Sequence, residues 1–439
     1  MKKVKTGVFQ RGFALAKLTL KSGTLAATSV MNSDKEEHII KQMQLLSKEL
    51  GMLKGSIMKV GQTLSMYGEH FLPPKANEYL KNLQFNSPPI EWSGIKKFLI
   101  EEIGEDVLAE LDIDKTSSAA ASLGQVHKAR HKKTGQLLAI KIQYPGVESA
   151  IKSDLKSIKA ILGLSKILPG GLQTDQFFEE IETMLIQETN YKLEKTWTEQ
   201  MYQKLKPYPQ FVVPQVQPRY CSKHVITTSY EDGVALDSPE IQSLSQDRRN
   251  ALALNYLDLY FKELFEFKLV QTDPHLGNYR IRISKDPSSQ PDQLILYDFG
   301  AMREVPDHFG VPFKQLVEGA AQQDKEMIIE SAYKLGYLKP DDDPELKNRY
   351  FKVCSLIGEP FSEDPSFPFT DQDGNYDWKH TDLPQRVSIA AKEIFKFHKL
   401  RVPPRESVFL DRKLAGAFFL VSVLGLKGKA REVLRRYYY

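Results

Sequence analysis

The sequence predicts an α+β fold of two lobes with a helical extension in front. Three observations predict it. Strand-like, β-branched patterns sit early, at 122–130, 137–143, 211–213 and 225–229, whereas everything after about 306 reads as helices and loops. Apolar residues ahead of 105 recur at helical steps. Finally, a few polar groups stand in apolar surroundings in a set order: Lys141 between Ile140 and Ile142, Asp273 with Asn278 after it, and Asp298 closing the apolar run Leu294, Ile295, Leu296, Tyr297.

The elements follow in chain order. Residues 7–30 mix Arg11, Lys17 and Lys21 with Phe9, Phe13, Leu15, Leu18 and Leu20, which suits either an amphipathic helix that touches membrane or a docked N-terminal helix. From 34 to about 54 the residues Ile39, Ile40, Met43, Leu46, Leu50 and Leu53 keep helical spacing, with Ser33 as N-cap and Glu36 completing a capping box. A second helix spans 58–69 and stops before Pro73 and Pro74; two shorter ones fit 75–83 and 93–103. Strands at 122–130 and 137–143 are joined by a turn at 132–135. Helices are predicted over 147–168 and, as one unbroken element, 174–206, where Pro207 and Pro209 end it. A helix over 247–267 and a hairpin of 279–283 with 293–297 complete the pattern. The expected divisions are a basic and apolar segment 1–33, a helical extension 34–105, a first lobe 106–230 and a mostly helical second lobe 231–439.

Composition bounds the class. The 439 residues are 41% hydrophobic and 26% charged, ordinary for a globular protein, and a net charge of +4 gives no case for nucleic acid. Cys221 and Cys354 are the only cysteines, so no disulfide framework is expected and a reducing, cytoplasmic setting is the default. The best apolar run, 414–426, has 13 residues between Arg412–Lys413 and Lys427, which suits a buried core helix rather than a membrane span. Lys2, Lys3 and Lys5 have no continuous apolar stretch behind them, against a secretory signal.

A lysine on a strand, then an aspartate with an asparagine five residues on, then Asp298-Phe299-Gly300 is the order in which a protein-kinase-like fold lays out its nucleotide chemistry. ATP needs a cation on its phosphates, oxygen ligands for magnesium, and a carboxylate facing the acceptor. Lys141, the pair Asn278 and Asp298, and Asp273 supply those roles in turn. A strand lysine needs a carboxylate partner, which either Glu188 or Glu194 offers. The stretch Ser118, Ala119, Ala120, Ala121, Ser122, Leu123, Gly124, Gln125 and Val126 stands where backbone N–H groups would cover phosphates; a tight strand crossing is the competing reading.

These residues together resemble the UbiB/AarF-type atypical kinase family, also called the coenzyme Q kinase-like or ABC1-domain family. Lys59-Val60-Gly61-Gln62 matches its KxGQ motif, Ala119-Ala120-Ala121-Ser122 its Ala-rich loop, and Ala139-Ile140-Lys141-Ile142-Gln143 its lysine strand. Asp273-Pro274-His275 with Gly277-Asn278, and Asp298-Phe299-Gly300, match its catalytic and metal loops. The match runs over about residues 35–330. It implies a two-lobed protein-kinase-like fold whose N-terminal KxGQ helix folds over the active site. Lys59 then lies near the phosphates and Gln62 plugs the acceptor position. It further implies ATP or ADP with Mg2+, a role in ubiquinone or isoprenoid lipid metabolism, and peripheral contact with membrane lipid or quinone precursors at the inner face of a membrane. Three positions depart from the pattern: Asn190 where a carboxylate is usual, Gln271 for a histidine and Leu276 for a proline. Two other classes stay open, a catalytically weak, nucleotide-switched binding module and a small-molecule phosphotransferase.

Overall fold

A computed structural model describes residues 90–438 except 122, 165–173, 365 and 398–404, together with isolated residues between 40 and 79. The expected segment 1–33 and most of 34–89 lie outside the described residues. The chain divides into two compact units, Met1–Glu199 with Gln215–Tyr230, and Gln200–Pro214 with Glu231–Tyr439.

The first unit is built on five antiparallel strands: β1 (Leu111–Ile113), β2 (Ala119–Ala121), β3 (Gly124–His131), β4 (Leu137–Gln143) and β6 (Val225–Ser229), in the order β1-β3-β4-β6 with β2 also on β3. β3 is long enough to serve two neighbours in succession. Its first residues pair with β2 (Ala121 opposite Gly124) and its last with β1 (Leu111 opposite His131). Strand alternation turns Leu138, Ile140 and Ile142 of β4 inward, each at most 1% exposed. Helix α1 (Trp92–Ile103) lays Ile95 and Leu99, one turn apart, into the same core, followed by the short α2 (Glu105–Leu108). α3 (Val147–Leu164), α4 (Thr174–Glu188) and α5 (Tyr191–Leu205) follow the sheet hairpin.

The unbroken helix expected over 174–206 is two helices. The Thr189 carbonyl accepts a 2.7 Å hydrogen bond from the Gln143 amide, and the Thr189 hydroxyl donates to the Ile186 carbonyl. Asn190 then starts α5: its side-chain oxygen accepts from the Lys192 N–H at 3.2 Å, an N-cap. The Ala-rich stretch, open in the sequence to a phosphate-covering loop or a tight strand crossing, pairs Ala119–Ala121 with β3 as a strand.

The second unit centres on α7 (Gln246–Phe261), polar in its first turn and buried along most of its second half: Leu252, Ala253, Tyr256, Leu257, Asp258, Leu259, Tyr260 and Phe261. The short α6 (Pro239–Gln242) precedes it, and a π-helical turn, Lys262–Glu266, ends it. Two small ladders follow. β7 (Leu269–Gln271) pairs with β10 (Met302–Glu304), and β9 (Gln293–Leu296) lies between β5 (Phe211–Val212) and β8 (Tyr279–Arg282). α8 (Asp307–Gln322), α9 (Lys325–Leu335), α10 (Pro344–Gly358) and α11 (Leu383–Phe397) lead to α12 (Arg405–Leu424), with a two-residue ladder of β11 (Tyr376–Asp377) and β12 (Lys427–Gly428) and a last helix α13 (Ala430–Arg435). The apolar run 414–426 packs largely as core: Leu420, Val421, Leu424 and Leu426 are fully buried, whereas Phe419 is exposed. Among the described residues no helix is long and apolar enough to cross a membrane.

The helix break yields a test. Asn190→Ala removes the cap and should cost about 1 kcal/mol in denaturant unfolding, whereas Asn190→Asp, which still accepts, should cost under about 0.5 kcal/mol. Equal losses in both variants would show that the side chain does not cap α5.

Candidate active site

In the first unit Lys141 is paired. Its Nζ lies 2.7 and 2.9 Å from the two carboxylate oxygens of Glu194, and 5.1 Å from the ring centre of Tyr191. The Glu194 side chain is 4% exposed and that of Lys141 19%. Of the two carboxylates open in the sequence, Glu194 takes the lysine; Glu188 ends α4 on the other side of the break. Glu194 also lies in the first turn of α5, where the helix dipole favours its charge. The helix break therefore does electrostatic work: it starts a new helix four residues before the carboxylate that Lys141 needs.

The Ala-rich hairpin runs beside this pair. Val126 stands opposite Lys141 in the ladder, and the Ser118 N–H donates to the Val126 carbonyl at 2.8 Å. Gly124 is where the backbones come closest: a Cβ there would sit 2.2 Å from the Ile142 carbonyl oxygen. Leu123 is buried, and the Gln125 side chain turns inward, accepting from the Ile90 N–H at 2.8 Å and meeting His127 Nε2 at 2.8 Å. Ser118 and Ala119 are exposed, and Ala121 and Val126 are half-buried. Lys59, Gln62, Ser122 and the Ala120 side chain lie outside the described residues; Val60 and Gly61 are helical and buried.

In the second unit two ladders bring the catalytic and DFG loops together. Gln271 opposes Met302 across β7 and β10, and Tyr279 opposes Leu296 across β8 and β9. Asn278 and Asp298 thus lie just beyond a matched pair, and the Tyr297 N–H donates to the Asn278 carbonyl at 3.0 Å. The Asn278 amide donates to the Asp273 carbonyl at 2.9 Å, which fixes its rotamer and presents its oxygen, the atom a hard cation takes. One Asp298 oxygen accepts from the Gly300 N–H at 2.8 Å, and Phe299 is buried beneath. Gln271, one of the departures from the family pattern, donates to the same Asp273 carbonyl at 2.8 Å. A carboxylate and an amide oxygen are both hard donors, the chemistry magnesium takes.

Residues that the sequence reading did not single out sit behind this loop. Arg412 of α12 donates to the Asp273 carboxylate at 2.6 Å. Next to it Lys413, 1% exposed, forms a 2.8 Å ion pair with Glu263, 2% exposed, in the π turn. Burial pushes Glu263 up; burial opposes the charge on Lys413 too, and Glu263, with Tyr256 and Asp273, holds Lys413 above its ordinary value. The signal was two adjacent cations abutting a run that had to be buried.

The family model that matches is the ABC1 atypical kinase-like domain, over residues 82–332, more than half of the chain. The chain belongs to the ABC1 atypical kinase-like family. It is 30% identical over 382 residues to the mitochondrial atypical kinase COQ8B of Danio rerio, covering 87% of this chain and 58% of that protein. To the mitochondrial atypical kinase COQ8 of Saccharomyces cerevisiae it is 30% identical over 381 residues, covering 87% and 73%. Among solved structures, Rv3197 of Mycobacterium tuberculosis, determined with erythromycin, superposes with a TM-score of 0.60 at 22% identity over 88% of this chain and 93% of that one, which shows the shared fold. This ABC1 chain spans just over half of the zebrafish relative's length.

The lysine pair is testable by stability. Glu194→Leu removes the carboxylate bonded to Lys141 and should cost about 2 kcal/mol, and adding Lys141→Met should recover part of it. A double variant no more stable than Glu194→Leu alone would mean the pair is not coupled.

Proposed function

We propose that this protein is a magnesium-dependent, ATP-binding atypical kinase or ATPase that serves ubiquinone or isoprenoid lipid metabolism. The observation that carries the reading is the Lys141–Glu194 pair at 2.7 Å, since a strand lysine held by a helix glutamate is the arrangement that kinase-like folds use to fix nucleotide phosphates. The names of the relatives, atypical kinases of the COQ8 group in mitochondria, support the metabolic assignment.

In this reading Lys141 binds the phosphates, and Glu194 keeps its ammonium charged and oriented. The Ala-rich hairpin supplies small residues beside the phosphates. Asn278 and Asp298 hold Mg2+, which neutralises charge on the phosphoryl oxygens when bound. Asp273 faces the acceptor, a lipid or quinone precursor hydroxyl or water. We further assign Lys59 and Gln62 of the KxGQ helix to restraining the acceptor position, and the segment 1–33 to peripheral contact with the inner face of a membrane.

Millimolar Mg-ATP or Mg-ADP should raise the melting temperature by a few degrees, since about hundredfold excess over Kd stabilises by roughly 2.7 kcal/mol. Asp298→Asn should abolish most of the magnesium-dependent shift and Asn278→Ala should weaken it less. Asp273→Asn should keep the shift and lose turnover, measured with and without anionic liposomes carrying a quinone-precursor analogue. No shift with any nucleotide would end the reading.

A further inference from the structure

The family match ends at 332, yet the Asp273 carboxylate is held by a helix that begins at Arg405. Arg412 and Gly416 are one turn apart on α12 and so share a face. Arg412 meets the aspartate, and Gly416 meets Pro274, the next residue of the loop. A Cβ on Gly416 would lie 2.2 Å from the Pro274 ring carbons, so the contact requires glycine. Lys413 fixes the register of α12: its pair with Glu263 is almost fully buried, and sliding the helix would strand both charges. Glu263 in turn accepts, at 3.4 Å, from the N–H of Gln271, whose side chain braces the Asp273 carbonyl. Two neighbouring residues of one helix thus reach the catalytic loop, one at its carboxylate and one through its supporting turn.

We infer that Arg412 is a positioning residue for the reaction, with α12 a required part of the active site outside the matched domain. The inference rests on the proposed role of Asp273. Phosphoryl transfer leaves the protein little covalent chemistry to do, so the position of the carboxylate decides the rate. Gln271 and Asn278 hold the Asp273 carbonyl, which leaves the carboxylate's rotation about its side-chain bonds to be set separately. The guanidinium does that. One of its N–H groups donates to one Asp273 carboxylate oxygen at 2.6 Å, and with side chains 23% and 15% exposed the pair is weakly screened by solvent.

The test uses the full chain with Arg412→Gln, Arg412→Lys and Gly416→Val. Amide exchange across 272–278 should quicken by about tenfold in Arg412→Gln with the rest of the chain unchanged. Turnover should fall by about tenfold to a hundredfold while the Mg-nucleotide thermal shift is retained. Arg412→Lys should recover part of the turnover, and Gly416→Val, which keeps the ion-pairing groups, should loosen the same loop. Unchanged exchange at 272–278 in Arg412→Gln overturns the inference whatever the turnover does. So does faster exchange spread evenly along the chain with a parallel loss of melting temperature, the mark of a merely structural residue. If the unaltered chain binds nucleotide without turnover while Arg412→Gln still loosens only that loop, the kinase reading fails and Arg412 is an anchor of the loop rather than a positioning residue for a reaction.

Discussion

An ammonium on an apolar strand must have a partner, and much of the first unit follows from that constraint. Lys141 stands between two fully buried isoleucines. Removing the carboxylate that meets it would cost about 2 kcal/mol. Its partner Glu194 is 53 residues away in sequence and reaches it only because the helical segment stops at Thr189 and restarts. The stop is itself imposed by the sheet: Gln143, two residues beyond Lys141 on the same strand, bonds the Thr189 carbonyl. One strand therefore carries both the charge to be neutralised and the group that delivers its neutraliser. Gly124 belongs to the same economy of space, since any side chain there would push β3 off the Ile142 backbone.

The second unit solves a similar problem with more charges and less solvent. Glu263 is 2% exposed, a depth at which an uncompensated carboxylate is costly, and Lys413 balances it. The π turn at Lys262–Glu266 changes the side-chain phase at that point, and such turns recur near functional sites. Because the pair locks α12 in register, the helix can offer Arg412 and the bare face of Gly416 to the loop above. Stability and loop geometry are then properties of one set of contacts, so variants of Lys413 or Glu263 would confuse the two and Arg412 separates them.

What was legible in the sequence was what periodicity and local chemistry determine. The long strands β3 and β4, the helix at 92–103 and the buried run at 414–426 each carry their signal locally, and the kinase-like order of Lys141, Asp273, Asn278 and Asp298 is read from short motifs, each only a few residues long. The strands β1 and β2 are three residues each, and Ala119–Ala121 has no β propensity of its own; the exposed edge of β3 makes it a strand. The choice between Glu188 and Glu194 depended on a break set by Gln143 from across the unit, which no helical pattern records. Arg412 lies 139 residues from Asp273, and as a flanking charge beside an apolar run it looked like the end of an element rather than a part of the site.

The family departures acquire a physical meaning from these contacts. Asn190 replaces a carboxylate, and what its position demands of the first unit is an acceptor to start α5, which an amide oxygen supplies. Gln271 replaces a histidine, and the donor needed on the Asp273 carbonyl is again supplied by an amide. Both substitutions keep a hydrogen bond while removing a titratable group. Gln271 also receives a second contact, a 3.4 Å bond from the Tyr279 hydroxyl, so its oxygen and nitrogen are both committed and its orientation is set. A scaffold held by amides keeps its shape through neutral pH where an imidazole would change charge. The chemistry proposed for Asp273 then rests on the charges that remain around it, among them Arg412 of α12 at 2.6 Å.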